Sequence, residues 1–110
     1  MYVKWEIDYL KYDNCYNENK TPKERYPKMR DVLKNYTTKR PIFYSICNWG
    51  EEDIPKWGKD VGNRWRTTGE ISDMWLSMLR IIDINDQYYE YVGLGGWNDP
   101  NMLEVGKGGN

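Results

Sequence analysis

The sequence predicts an α/β fold in which four strands alternate with helical or loop segments. Strand-like stretches near residues 7, 41, 63 and 96 are separated by helical or loop stretches, which is typical of β/α units around a parallel sheet. Polar side chains also gather where each predicted strand ends. In parallel barrels the active site lies at the carboxyl ends of the strands, so we expect a single site there.

Length and composition narrow the class of protein. The chain has 110 residues, enough for one domain but far short of the roughly 250 residues of a complete eight-stranded α/β barrel. The net charge is −1, and basic and acidic residues are interspersed, so nothing indicates a nucleic acid or an anionic membrane as partner. No apolar run approaches the roughly 20 residues of a membrane span. The first residues lack the basic and apolar regions of a signal peptide.

The residue types that are missing or rare restrict the chemistry. Histidine is absent, which excludes a serine or cysteine nucleophile with a histidine base, and histidine metal sites. Cys15 and Cys47 are too few and too far apart for a zinc ribbon, and they pair only if the fold brings them together. Acid-base chemistry must therefore rest on carboxylates, Tyr or Lys.

The first predicted strand, with its lead-in, covers about residues 2–13 and ends abruptly in charged residues. Its apolar and aromatic residues predict a buried strand. Lys11, Asp13 and Cys15 are two residues apart and share one face. A lysine beside a carboxylate lowers its pKa and keeps it ionised, as a nucleophilic aspartate requires. An ordinary ion pair at a strand end is the alternative.

A helix is predicted to follow from the capping box at residues 21–24, with proline at the first helical position. Pro27 leaves open a restart of the helix at Tyr26. Either way, one helical face carries apolar residues that we expect in the core. These are Tyr26, Met29, Leu33 and Tyr36.

Two further strands are predicted at residues 41–47 and 63–67, with a short helical turn near residues 52–57 between them. The first ends in Asn48-Trp49-Gly50, a loop start with an aromatic residue at the carboxyl end. On the second strand, or just past it, Arg66, Thr68 and Glu70 lie two apart. A charged set where a strand should be apolar is the second indication of a site.

The longest helix is predicted at about residues 72–89, with Ser72 as N-cap. Its apolar stripe is expected to face the sheet and consists of Trp75, Met78, Leu79, Ile82 and Tyr89. Residues 93–100 then predict a tight entry to a fourth strand that ends in a carboxylate. The glycines at 93–96 and 106–109 match neither a dinucleotide fingerprint nor a P-loop and are typical of turns.

Four linked motifs carry a resemblance to a known family. They are residues 9–15 (Tyr-Leu-Lys-Tyr-Asp-Asn-Cys), 40–45 (Arg-Pro-Ile-Phe-Tyr-Ser), 65–69 (Trp-Arg-Thr-Thr-Gly) and 95–100 (Gly-Gly-Trp-Asn-Asp-Pro). In this order and spacing the chain resembles the middle of a plant-type α-galactosidase of glycoside hydrolase family 27, and the resemblance covers essentially all 110 residues. It implies a retaining glycosidase and an incomplete (β/α)8 barrel, TIM type, with about the fourth to seventh strands and their helices.

The resemblance also implies roles for individual residues. Asp13 matches the nucleophile and Glu70 the acid/base. The expected pocket residues are Lys11, Cys15, Asn48, Trp49, Arg66, Asp99 and Asn101. Cys15 matches a cysteine that is disulfide-bonded in the family to a partner not found here, so we expect it to be unpaired. The implied substrate is a galactoside oligosaccharide or glycolipid, no metal or cofactor is implied, and the family location is secreted, lysosomal or vacuolar.

Three pocket positions depart from the family pattern. Glu70 stands where the family has Asp, Asn48 where it usually has Glu, and Asn101 where it has Asp. Two alternatives therefore remain: a truncated, catalytically weak or inactive sugar-binding remnant, or a relative acting on α-N-acetylgalactosaminides or β-L-arabinopyranosides. A partial barrel also exposes strand edges, so we expect it to require the remainder of the barrel or self-association.

Overall fold

The computed structural model describes residues 2–36 and 40–101. The strands are β1 (Tyr9–Asp13), β2 (Phe43–Cys47), β3 (Arg64–Arg66) and β4 (Trp97–Asp99), and the α-helices are α1 (Pro22–Tyr36), α2 (Gly58–Val61) and α3 (Trp75–Asp86). Short 3-10 helices cover Tyr2–Trp5, Glu51–Lys56 and Tyr89–Tyr91. The predicted alternation of strands and helices is confirmed.

The strands form one parallel sheet in the order β1-β2-β3-β4. Because all the strands run the same way, their carboxyl ends meet at one edge, as predicted. In the register Asp13 lies opposite Cys47, and Arg66 lies opposite Asp99. The charged ends of β1 and β4 therefore flank the ends of β2 and β3.

The hydrophobic core covers one face of this sheet. Alternate strand residues point toward α1, α2 and the 3-10 turn after β2. The fully buried members of the core are Tyr26, Tyr44, Ile46, Ile54 and Trp65, with Leu10 and Tyr12 partly buried beside them. Trp65 is held on two sides by close backbone, since a Cβ on Gly58 or Gly96 would lie within 2.9 Å of its ring. Trp65 thereby fixes which face of β3 points away from the core.

Helix α1 begins at Pro22, as the capping box predicts. The backbone N–H of Thr21 donates to the Glu24 carboxylate at 3.0 Å, which satisfies a donor at the helix start. The helix continues through Pro27, so the alternative start at Tyr26 is wrong. Tyr26 and Leu33 are buried and Met29 packs against the core. The side chain of Tyr36 lies outside the described residues.

The strands are shorter than the sequence predicts. Residues Tyr2–Trp5 form a 3-10 helix, so β1 begins only at Tyr9. Tyr9 is 48 % exposed, and β1 is half-buried rather than buried, because the core covers one face of the sheet only. The glycines at 93–96 form a turn closed by the pair Gly93 and Gly96, as expected. Residues 106–109 lie outside the described part of the chain.

The predicted orientation of the long helix is wrong. Helix α3 begins at Trp75 rather than at Ser72, and no side chain caps its start. Trp75 is 69 % exposed and Ile82 53 %, whereas the helix buries Ile81 and its Asn85 accepts a hydrogen bond from Thr67. Apolar residues lie on several faces of this helix, so periodicity does not select the one that packs. The other residues of the predicted stripe also stay at least partly exposed: Met78, Leu79 and Tyr89.

Candidate active site

The sheet face opposite the core is polar near its carboxyl edge. Because side chains alternate along each strand, residues of neighbouring strands in register share this face. Its polar members are Lys11 and Asp13 on β1, Ser45 and Cys47 on β2, Arg64 and Arg66 on β3, and Asp99 on β4. Six of these seven residues carry a charge or a thiol. The fold therefore places several chemically reactive side chains on one face of the sheet.

Asp13 lies at the last position of β1 and is half-buried. Its carboxylate accepts the backbone N–H of Cys15 at 3.1 Å, and the thiols of Cys15 and of its register partner Cys47 lie close enough to act on its charge. Burial acts to raise the pKa of Asp13, but these donors together with the backbone N–H of Asn14 outweigh it and lower the pKa. Asp13 is therefore ionised, as a nucleophile must be.

Lys11 does not have the role that its spacing predicts. It is exposed and, within the described residues, forms no ion pair with Asp13. Its charge acts on the Cys47 thiol instead. The prediction that Asp13 is ionised is confirmed, but thiol and backbone donors are the cause and not the lysine.

Arg66 is the most deeply buried charge at the edge, with 3 % of its surface exposed. Its Nη1 lies 3.9 Å from the sulfur of Cys47. Its Nη2 donates to the Gly69 carbonyl at 2.8 Å and lies 3.2 Å from the Glu70 carboxylate. Its Nε is buried and has no hydrogen-bond partner among the described residues, an exception to the rule that buried donors are bonded.

Glu70 lies just beyond β3 and points into solvent, with 72 % of its side chain exposed. Besides Arg66, its carboxylate accepts a hydrogen bond from Nδ2 of Asn101 at 3.4 Å. A chain of contacts therefore runs along the edge from Asp13 through Cys47 and Arg66 to Glu70. The two predicted carboxylates lie on one edge of the sheet, and neither is covered by packed aliphatic side chains.

Asp99 is held by groups of the protein itself. Its carboxylate pairs with Arg64 at 2.8 Å, with 12 % of the side chain exposed, and accepts the backbone N–H of Asn101 at 3.0 Å. Asn101 adopts a left-handed backbone conformation with φ of 85°, so its side chain turns back toward Glu70. Asp99 thus fixes the end of β4, and Asn101 reaches the edge from there.

The loop after β2 brings Asn48 and Trp49 against the end of β3. A Cβ on Gly50, whose φ is +86°, would lie 2.3 Å from the carbonyl oxygen of Thr67, so only glycine permits this approach. Asn48 is fully buried, and its Nδ2 donates to the Glu51 carbonyl at 2.8 Å. Its Oδ1 has no partner in the described part of the structure. Trp49 is partly buried with φ of 59°.

Two residues at the carboxyl edge of the sheet were not predicted as site residues from the sequence. Cys47 is buried and in contact with both Arg66 and Asp13, and Arg64 anchors Asp99. The alternation of strand residues could have identified Arg64, because it lies two positions before Arg66. Cys15, by contrast, is exposed and is not disulfide-bonded to Cys47.

Metal and membrane sites are not found in residues 2–36 and 40–101. No group of three Cys, Asp or Glu side chains there could hold a metal ion. None of the helices in these ranges has the length and apolar character that crossing a bilayer requires.

Barrel enzymes carry their active sites at the carboxyl ends of the strands, and glycosidases use a pair of carboxyl groups, so this edge has the features of a barrel glycosidase. Comparison with known proteins agrees: the sequence model of the family described as Alpha galactosidase A matches residues 1–110. The chain therefore belongs to the α-galactosidase family, glycoside hydrolase family 27.

Its relatives are longer proteins. Alpha-galactosidase 2 of Arabidopsis thaliana is 56 % identical over 108 residues, covering 98 % of this chain and 27 % of the relative. The crystal structure of α-galactosidase I from Mortierella vinacea matches with a TM-score of 0.83 and 37 % identity, over 99 % of this chain and 33 % of that one. The raffinose complex of a Saccharomyces cerevisiae α-galactosidase matches with a TM-score of 0.76 and 33 % identity, over 96 % and 29 %. The chain thus spans about a third or less of each.

Proposed function

We propose that this chain supplies the catalytic edge of a retaining α-galactosidase that releases terminal α-linked galactose. The observation that carries the proposal is the contact series joining Asp13 to Glu70 through Cys47 and Arg66. An ionised carboxylate and a second, solvent-facing carboxyl group on one edge are the two groups that a retaining mechanism requires.

In the proposed reaction Asp13 attacks the anomeric carbon of the sugar. The bond from that carbon to the leaving oxygen breaks, and Glu70 gives its proton to that oxygen. Glu70 then takes a proton from water, which attacks the glycosyl-enzyme and releases Asp13. The lowered pKa of Asp13 suits the nucleophile, because only its ionised form attacks.

The sugar is proposed to bind through the groups that the protein leaves unpaired. These are Nε of Arg66 and Oδ1 of Asn48, a buried donor and a buried acceptor without partners in the described residues. A sugar hydroxyl both donates and accepts, so it can satisfy either. A related enzyme binds raffinose, a galactoside, and we extend that substrate class to this chain. Lys11, Trp49 and Asn101 complete the proposed pocket.

The amides at 48 and 101 are proposed to alter selectivity at the sugar 2-position. An amide carries no charge and donates as well as accepts, unlike the carboxylates of the family pattern. We expect weaker discrimination between α-galactosides and α-N-acetylgalactosaminides than a typical family member shows. The ratio of kcat/KM for the two aryl glycosides measures it, and a ratio as large as that of a plant relative would contradict it. Aryl β-L-arabinopyranoside, assayed alongside, tests the other relative considered.

A weak or inactive sugar-binding protein is the second candidate. The observation in its favour is the exposure of Glu70: a catalytic carboxyl group usually acts in a site from which water is excluded, whereas this side chain lies in solvent. This candidate predicts that galactose binds without turnover.

One experiment separates the candidates. The protein expressed from its complete coding sequence is assayed with an aryl α-galactoside, together with Asp13→Asn and the matched control Asp83→Asn, an exposed residue of α3. We expect Asp13→Asn to abolish turnover and Asp83→Asn to keep it. Turnover that survives Asp13→Asn would refute the assignment, and binding of galactose by an inactive wild type would establish the second candidate.

The isolated 110-residue chain is proposed to need a partner surface, either the remainder of a barrel or a second copy. Strands β1 and β4 are the edges of the sheet, and α3 exposes Trp75 and Leu76 at 69 and 76 %. Exposed edges and apolar faces of this kind drive association. Size-exclusion chromatography of the chain should therefore give oligomers, and a stable monomer would contradict this. A secreted, lysosomal or vacuolar location stays part of the proposal.

A further inference from the structure

We propose that Cys47 is a positioning residue that orients the nucleophile Asp13 and couples it to the arginine of the pocket. The proposal rests on the function proposed above and adds Cys47, which the family motifs do not place among the pocket residues. It is drawn from the position of one sulfur atom between a cation and an anion at the carboxyl edge.

The sulfur of Cys47 is fixed in place by the backbone around it. Cys47 lies opposite Asp13 in the register of β1 and β2 and is 2 % exposed. Its carbonyl oxygen accepts the backbone N–H of Asn14 at 3.0 Å and the hydroxyl of Tyr26 at 3.1 Å. These two hydrogen bonds hold the backbone of Cys47 in place at the end of β2, so its Cα stays beside Asp13.

The direction of the hydrogen bonds follows from the chemistry of the three groups. A guanidinium only donates and an ionised carboxylate only accepts, whereas a thiol does both weakly. The sulfur therefore accepts from Nη1 of Arg66 at 3.9 Å, and the proposal assigns its proton to the carboxylate of Asp13, the register partner of Cys47. A ligand that binds and displaces Arg66 would therefore affect the nucleophile Asp13 through the sulfur atom of Cys47.

The thiol keeps its proton over the working range of a glycosidase. Burial, and then the hydrogen bond to Asp13, raise the pKa of Cys47 to about 11. A neutral thiol remains a donor to the carboxylate and adds no negative charge beside it. A thiolate in this place would repel Asp13, so the burial of Cys47 preserves the contact.

Cys47 and Asp13 have charged or titratable neighbours on each element that packs against them. Lys11 of β1 and Arg66 of β3 act on the thiol by charge, and Tyr26 of α1 contacts its backbone. Glu70 lies beyond Arg66, and Cys15 is a second, exposed donor to Asp13.

The test compares Cys47→Ala, Cys47→Ser and the control Val61→Ala in the complete protein. The control removes two methyl groups, more volume than Cys47→Ala does, from a buried site on α2, and tests for a purely structural effect. We expect Cys47→Ala to move the acid limb of the kcat/KM profile to higher pH and to lower kcat by roughly tenfold, the factor that one hydrogen bond to an ionised group supplies. Cys47→Ser should restore the limb, because a hydroxyl donates in the same place. An acid limb that stays where it is in Cys47→Ala would overturn the proposal.

A vibrational measurement judges the contact without any turnover. In the Cys15→Ser background Cys47 is the remaining thiol of these 110 residues. The S–H band that Cys47→Ala removes is assigned to it, and the position of this band reports whether the proton is bonded. We expect Asp13→Asn to shift this band toward that of a weaker hydrogen bond, and an unchanged band would overturn the proposal. If the wild-type protein is inactive, the proposed function fails, yet the band still decides whether Cys47 contacts Asp13.

Discussion

A substitution at Glu70 should affect the reaction rate far more than the free energy of unfolding. Its carboxylate lies 3.2 Å from Arg66, but 72 % of its side chain is exposed. An ion pair of this exposure contributes less than about 1 kcal/mol to the free energy of unfolding. A general acid, by contrast, contributes about a hundredfold to ten-thousandfold in rate. Glu70→Gln should therefore leave stability almost unchanged and remove most of the activity.

Shortening the same side chain tests its placement. Glu70→Asp withdraws the carboxyl group by one methylene, away from Arg66 and Asn101, and gives the residue that the family carries. A displacement of about 1 Å at a catalytic group is worth on the order of a hundredfold, so we expect kcat to rise by roughly tenfold to a hundredfold.

Both variants are assayed with an aryl α-galactoside, and urea unfolding gives their stability. Two results would refute the reasoning. One is a loss of more than about 2 kcal/mol in Glu70→Gln, since the exposed ion pair cannot supply it. The other is full activity of that variant, since no proton donor would then be required at this position.

Other predictions concern the scaffold and the nucleophile. Gly50→Ala should destabilise by about 2 kcal/mol or more, because its Cβ would overlap the carbonyl at the end of β3, while the control Gly69→Ala, with nothing within 4 Å, should stay within about 0.5 kcal/mol in urea unfolding. Trp65→Phe should cost about 2 kcal/mol in the same assay, since it leaves Oδ1 of Asn98 without its 2.6 Å donor. Asp13 has a folded pKa below its ordinary 3.8, so its stabilising contribution is present above that value and is lost as pH falls through the folded pKa. Asp13→Asn should reduce the loss of stability below pH 3.8, and an unchanged acid transition would contradict this.

The fold was predictable where local chemistry determines it. The capping box at Thr21 and Glu24 starts α1 as expected, and the strand-like runs give a parallel sheet. The face of α3 was not predictable, because Trp75, Ile81 and Ile82 are equally apolar and only the packing partner decides which is buried. Tertiary structure supplies that information, and helical periodicity does not contain it.

The candidate site was predictable in its members but not in its connections. Alternation and the family motifs identify Asp13, Arg66 and Glu70 from the sequence. The contacts between them depend on Cys47. Its place at the end of a largely apolar strand predicts only a buried core residue. Lys11 illustrates the converse: its spacing from Asp13 is right for an ion pair, but an exposed ammonium on a long stem is not held there by anything in the sequence.

The one-sided hydrophobic core bears on the proposal that this chain needs more protein around it. Parallel sheets are normally buried on both faces, yet here the second face carries Lys11, Arg66 and Asp99 rather than aliphatic side chains. A helix layer over these charges would cost their desolvation, so packing another core there is unfavourable. A closed barrel leaves the same groups around a polar interior with an open mouth, where a sugar can meet them. The polarity of the face opposite the hydrophobic core therefore supports both barrel closure and the proposed catalytic edge.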